Sequence, residues 1–150
     1  MRIYIDTSVI GGYFDDEFKE WSEILFKEIV RGKKIAIISE VTLGELENAP
    51  LHVRNLLASV PEKNKEIVLL DEESRHLSNL YIREKIVTEK SLLDTRHIAI
   101  ASVNHADVLV SWNFKHIVNY KLIRLYNSVN LKYGYPVLEI RTPREIIEPK

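Results

Sequence analysis

The chain has 150 residues, no cysteine and a formal net charge of −1, with 45% apolar and 29% charged residues, which suits a single globular domain and excludes a disordered acidic or basic chain. No segment approaches the ~20 apolar residues of a membrane span and no signal-peptide run opens the sequence, so a cytoplasmic protein without a membrane partner is expected. Without cysteine, disulfides, thiolate nucleophiles and Cys-type zinc sites are out of reach, and any chemistry falls to carboxylates, histidines and hydroxyls.

Ile3-Tyr4-Ile5 is a short β-prone run that stops at Asp6. Thr7, Ser8 and the Gly11-Gly12 pair read as a loop and flexible turn, with neither the dinucleotide nor the P-loop glycine spacing. From Asp15 to Val30, Phe18, Trp21, Leu25 and Ile29 recur at helical spacing, acids lie near the start and Gly32 follows the end, which predicts an amphipathic helix. Ile35-Ala36-Ile37-Ile38 is apolar without alternation, the pattern of a strand covered on both faces.

Ser39 opens a helix to about Asn48, and Pro50 begins another toward Ser59. Ile67 to Leu70 predicts a third strand, followed by a helix from about Glu72 to Lys85 and one from Ser91 to about His105. Val108-Leu109-Val110 is a fourth buried strand, a helix covers roughly Val118 to Leu131, Val137 to Ile140 forms the last strand, and Thr142 caps a terminal helix. Apolar strands alternating with helices predict an α/β fold with a mostly parallel sheet of four to five strands and helices on both faces. In such sheets ligands gather beyond the carboxyl ends of the strands.

Asp6 follows strand one, Glu45 lies in the helix after strand two, Asp94 starts the helix before strand four, and Asn113 comes just after strand four. Carboxylates brought together there repel one another unless a cation offsets them, and oxygen ligands suit Mg²⁺ or Mn²⁺ rather than zinc. Each also has a structural reading. Asp6 can turn the chain, and Asp94 stands three after Ser91, and Glu45 three after Thr42, at capping-box spacing. Glu40 and Glu47 compete with Glu45 for its role, Asp107 reads as a turn cap, and His97 reads either as a hydrogen-bonded core histidine or as a group that orients a carboxylate or contacts RNA.

No Asp or Glu occurs from Val108 to Leu138, where Lys115, His116, Lys121, Arg124 and Lys132 alternate with Trp112, Phe114, Tyr120, Tyr126, Tyr133 and Tyr135. Such a stretch can meet a phosphate backbone and stack bases, or be a helix with solvated cations and buried aromatics.

Four segments together carry a resemblance: Ile3 to Ser8, Val41 to Leu46, Asp94 to Ala101, and Ala106 to His116. In this order and spacing they resemble the PIN-domain family, especially VapC-like toxins, over nearly the whole chain. The resemblance implies Mg²⁺- or Mn²⁺-dependent cleavage of RNA, frequent homodimers and, in the toxin branch, an antitoxin protein partner. By position it matches Asp6, Glu45 and Asp94 to the family's first three acids, which hold the metal. Asn113 stands where the fourth catalytic acid belongs. Thr7 and Ser111 match its small hydroxyl residues, while Lys115 and His116 follow Asn113 as candidate RNA contacts. Losing the fourth carboxylate is expected to weaken a second ion more than the first. Two alternatives stay open: a noncatalytic RNA-binding or antitoxin-binding module, and a phosphatase with Asp6 as nucleophile, against which Ser8 stands where the haloacid-dehalogenase pattern has a second Asp.

Overall fold

A computed structural model describes residues 1–149. Its five strands form one sheet, β1 (Arg2–Ile5), β2 (Ile35–Ser39), β3 (Lys65–Val68), β4 (Val108–Val110) and β5 (Ile140–Arg141), in the order β3-β2-β1-β4-β5. Every neighbouring pair is parallel, with Tyr4 opposite Ile37 on one side and Leu109 on the other. The crossovers are α1 (Thr7–Gly12), α2 (Lys19–Val30), α3 (Glu40–Leu46), α4 (Leu51–Ala58), α5 (Glu72–Arg83), α6 (Leu92–Val103) and α7 (Tyr120–Lys132), with α8 (Pro143–Ile146) last. The expected α/β architecture with helices on both faces is therefore the observed one.

Side chains of a strand alternate between faces, so β1 divides the interior in two. Ile3 and Ile5 join Ala36, Ile38, Val108 and Val110 under α1, α2 and α4. Tyr4 joins Ile37, Leu109 and Ile140 under α5, α6 and α7. Because the strands are buried on both faces, their sequences show continuous apolar runs rather than alternation. Below the first layer, a buried ion pair joins Lys34 to Glu28, and the other Glu28 oxygen accepts the backbone N–H of Glu148 at 3.0 Å.

Four expectations about elements need correction. Thr7 to Gly12 is a helix, not a loop. Asp6 caps it, accepting the Val9 N–H, and Gly12 is required by packing: a Cβ there would stand 2.7 Å from the Trp112 indole. The helix expected from Asp15 starts at Lys19, because the Asp15 carboxylate accepts the Glu17 N–H and closes a turn instead. Strand β3 begins at Lys65, earlier than its apolar run suggests. As an edge strand it carries polar residues, with Glu66 bound to the Arg2 guanidinium at 2.8 Å, while Leu69 lies beyond its end, 65% exposed. Strand β5 is confined to Ile140–Arg141. Upstream, the Asn127 side chain takes both backbone groups of Leu138, at 2.8 and 3.1 Å.

Candidate active site

In the strand order, β1 continues to β2 on one side and receives β4 on the other, so the crevice at the carboxyl ends of β1 and β4 is the topological switch point. Asp6 stands at its centre, only 3% exposed. Its Oδ1 accepts from Ser8 Oγ at 2.7 Å and from the Val9 N–H at 3.2 Å, and its Oδ2 accepts from Ser111 Oγ at 2.6 Å. Burial pushes the Asp6 carboxyl above its usual value, against the opposing pull of His97 and of the Ser111, Ser8 and Val9 donors. Ser8 Oγ also accepts the Trp112 N–H at 2.8 Å, which ties the end of β4 to the end of β1.

Glu45 reaches the same region from α3, with 30% of its side chain exposed, and meets His97 Nε2 at 2.6 Å. The other His97 nitrogen is 2.6 Å from the Tyr4 hydroxyl, which in turn lies 2.6 Å from Ser39 Oγ. Burial holds the Tyr4 phenol far above its usual pKa, so a neutral hydroxyl bridges Ser39 Oγ and His97 Nδ1, while Nε2–H donates to the Glu45 carboxylate. Burial alone would raise the Glu45 carboxyl; the His97 hydrogen bond and charge, with Thr7 assisting, bring it below its usual value instead. Both readings of His97 therefore hold together: it is buried in the core and it orients a carboxylate. The Thr7 hydroxyl is near Glu45, and its buried Oγ1 makes no hydrogen bond, which leaves it an uncommitted oxygen.

Asp94, in the first turn of α6, has no capping partnership with Ser91, whose side chain makes no cap bond. Its Oδ1 accepts from Asn113 Nδ2 at 3.2 Å. Burial raises its carboxyl, His116 and His97 lower it, and the negative charges of Asp6 and Glu45 raise it further. The three acids thus share one electrostatic neighbourhood. Asn113 Oδ1 accepts the backbone N–H groups of Lys115 and His116 at 3.2 and 3.0 Å, and its own N–H donates to Ser111 Oγ at 2.9 Å. An aspartate could accept those bonds but could not donate one to Asp94.

Each acid is thus turned onto a protein donor, and among the described residues no three Asp, Glu or His side chains are placed to hold one ion as they stand. The donor set nevertheless suits a hard cation: carboxylate oxygens from three elements beside an uncommitted buried hydroxyl, with no sulfur.

The other sequence candidates separate. Glu40 is engaged with the Leu70 N–H at 2.7 Å, and Asp107 accepts the Arg2 N–H at 2.7 Å, so both are structural. The acid-free stretch is not one basic face. Tyr126 is core, Lys132 and Tyr133 bind Glu84, and Tyr135 binds Glu73, whereas Phe114 is 51% and Tyr120 78% exposed. Sequence reasoning missed Ser8 and Tyr4; the Asp-x-Ser spacing at a helix start was a signal for the first, while the second needed knowledge of which face of β1 meets α6.

No family model matches the sequence, and no curated protein matches it. Solved structures do. VapC20 of Mycobacterium tuberculosis, described as a sarcin-ricin loop cleaving toxin, aligns with a TM-score of 0.57 and 15% identity over 75% of this chain and 91% of its own. A chain of the VapBC2 complex of Rickettsia felis, solved bound to a promoter DNA fragment, aligns with a TM-score of 0.54 and 18% identity over 95% of this chain and 98% of its own. The chain has the PIN-domain fold of VapC-type proteins.

Proposed function

We propose that this protein is a metal-dependent endoribonuclease, the toxin of a toxin–antitoxin pair, that hydrolyses RNA phosphodiester bonds. The observation that carries this reading is Asp6, a buried carboxylate with a raised pKa at the switch point, electrostatically coupled to Asp94 on a VapC-type fold. Asp6, Glu45 and Asp94 would hold Mg²⁺ or Mn²⁺, with Thr7 Oγ1 within the same neighbourhood. When bound, such an ion polarises a phosphoryl oxygen and lowers the pKa of a coordinated water. The chain supplies orientation: Ser8 and Ser111 fix the two oxygens of Asp6, His97 aims Glu45, and Asn113 steadies Asp94. Lys115 and His116, beside Asn113, would meet phosphate. An antitoxin protein and a second copy of the chain are the expected partners.

The test is cleavage of RNA with Mg²⁺ or Mn²⁺, with chelator, and by Asp6→Asn. Cutting only in the first condition supports the reading; equal activity in all three sinks it.

Asn113 favours a second reading. Its amide donates a hydrogen bond to Asp94 where a cation would otherwise sit, as suits an RNA-binding or antitoxin-binding module without catalysis. That module would bind RNA equally well with metal or chelator and cut in neither.

A further inference from the structure

A cavity of about 500 Å³ opens beside Glu45, lined among others by Gly44, Leu70, Leu93, Arg75 and Arg96. Its volume is within the range of sites that take a small ligand, roughly 300–1,000 Å³. Gly44 leaves one wall bare, since a Cβ there would meet nothing within 4 Å. On α6, Asp94 and His97 are three apart and serve the acid cluster, while Leu93 and Arg96, also three apart, form the neighbouring stripe and face the cavity. Arg75 reaches it from α5.

Both acids of this cavity are already engaged: Glu40 with the Leu70 N–H at 2.7 Å, and Glu45 with His97 at 2.6 Å. The two arginines are not. Among the described residues neither guanidinium makes an ion pair. Two arginines without ion pairs lining one recess, beside the 47% exposed Leu93, present charge-assisted donors for an anion and a surface for an attached base.

We propose that this cavity binds a phosphodiester of single-stranded RNA, one flanking the bond to be cut, through Arg75 and Arg96, with the attached nucleoside against Leu93. This rests on the ribonuclease reading and adds a subsite to it. Because Glu45 borders both the acid cluster and the cavity, a phosphate held there fixes the register of the strand over Asp6.

The test measures binding of a short single-stranded RNA to the full chain in chelator, where no cutting occurs, by fluorescence anisotropy over a range of salt. Arg75→Ala and Arg96→Ala are each expected to weaken binding about tenfold. The double variant is expected to reduce the log–log salt slope by about 0.7 for the phosphate lost. Lysine at both positions should restore the slope but only part of the affinity, because the fork is gone. Lys63→Ala, exposed at the amino end of β3, is the control and should bind as the parent does. Melting temperatures of the variants verify folding. If the double alanine variant binds with parental affinity and slope, the subsite is wrong while the ribonuclease reading stands. If the parent binds no RNA, that reading falls and the subsite with it.

Discussion

Asp6→Asn removes one charge and almost no volume, so it separates what Asp6 contributes to chemistry from what it costs the fold. The side chain is 3% exposed, and burial raises its carboxyl despite the opposing His97 charge and three donors. The net direction means that the hydrogen bonds do not offset desolvation. For a carboxyl raised on folding, the native state binds more protons than the unfolded chain. The penalty is absent below the unfolded value of about 3.9, grows as pH rises toward the folded value, and is full above it. Asparagine has no such penalty at any pH and caps a helix as well as aspartate does. Its Oδ1 can retain the Ser8 and Val9 bonds, while its Nδ2 would face Ser111 Oγ, which must then accept rather than donate.

Reversing that one bond costs up to about 1 kcal/mol, against an effective penalty of several kcal/mol for a buried ion, partly offset here by the donors around it. A net gain of about 1–2 kcal/mol at neutral pH follows, or a rise of about 2–8 °C in melting temperature for a chain of this size. Thermal unfolding in chelator should therefore show Asp6→Asn melting above the parent, with the gap closing toward pH 4. Adding Mn²⁺ to about 100 times its Kd should stabilise the parent by about 2.7 kcal/mol and the variant far less, inverting the order. A variant that melts below the parent in chelator at neutral pH would refute the desolvation argument. Equal stabilisation of both proteins by Mn²⁺ would remove Asp6 from the ion's ligands.

Asn113→Asp places a second carboxylate against Asp94, 3.2 Å from the present amide nitrogen. It should lower stability in chelator and tighten Mn²⁺ binding about tenfold by calorimetric titration, and unchanged affinity would contradict the charge argument. His97→Phe removes one of the two hydrogen-bond partners of the Tyr4 hydroxyl and frees Glu45, so the urea midpoint should fall by the equivalent of about 1–3 kcal/mol while Mn²⁺ affinity weakens. Stability loss without any change in Mn²⁺ affinity would confine His97 to the core. Gly12→Ala drives a methyl group to 2.7 Å from Trp112 and 3.0 Å from Ser22 Oγ. Overpacking of about 1–3 kcal/mol should follow in thermal denaturation, and a neutral result would show that the indole can shift.

The parallel sheet was legible because its strands are buried on both faces, which writes continuous apolar runs at Ile3, Ile35 and Val108. The ends of those runs pointed to Asp6 and to the segment through Asn113. Edge strands gave weaker signals: β3 is half polar, and β5 loses its upstream bonds to Asn127. Helix α1 was hidden because two glycines signal a break locally, whereas Gly12 answers to Trp112, remote in sequence. Position pointed to Asp6 and Asp94, whereas Glu45 was set apart from Glu40 and Glu47 by the family resemblance. The hydrogen-bond partners of the cluster could not be read in this way, since Tyr4, Ser39 and His97 meet only after three elements pack.

The Ser39–Tyr4–His97–Glu45 chain also links correct strand pairing to a competent site. Strand faces repeat every two residues, so slipping β1 by one position would send Tyr4 to the α1 and α2 side and leave an isoleucine opposite His97. The same slip would carry Asp6 away from Ser111. A misregistered chain therefore loses the support of Glu45 and the placement of Asp6 in one step, so mispaired molecules would hold no partly assembled acid cluster.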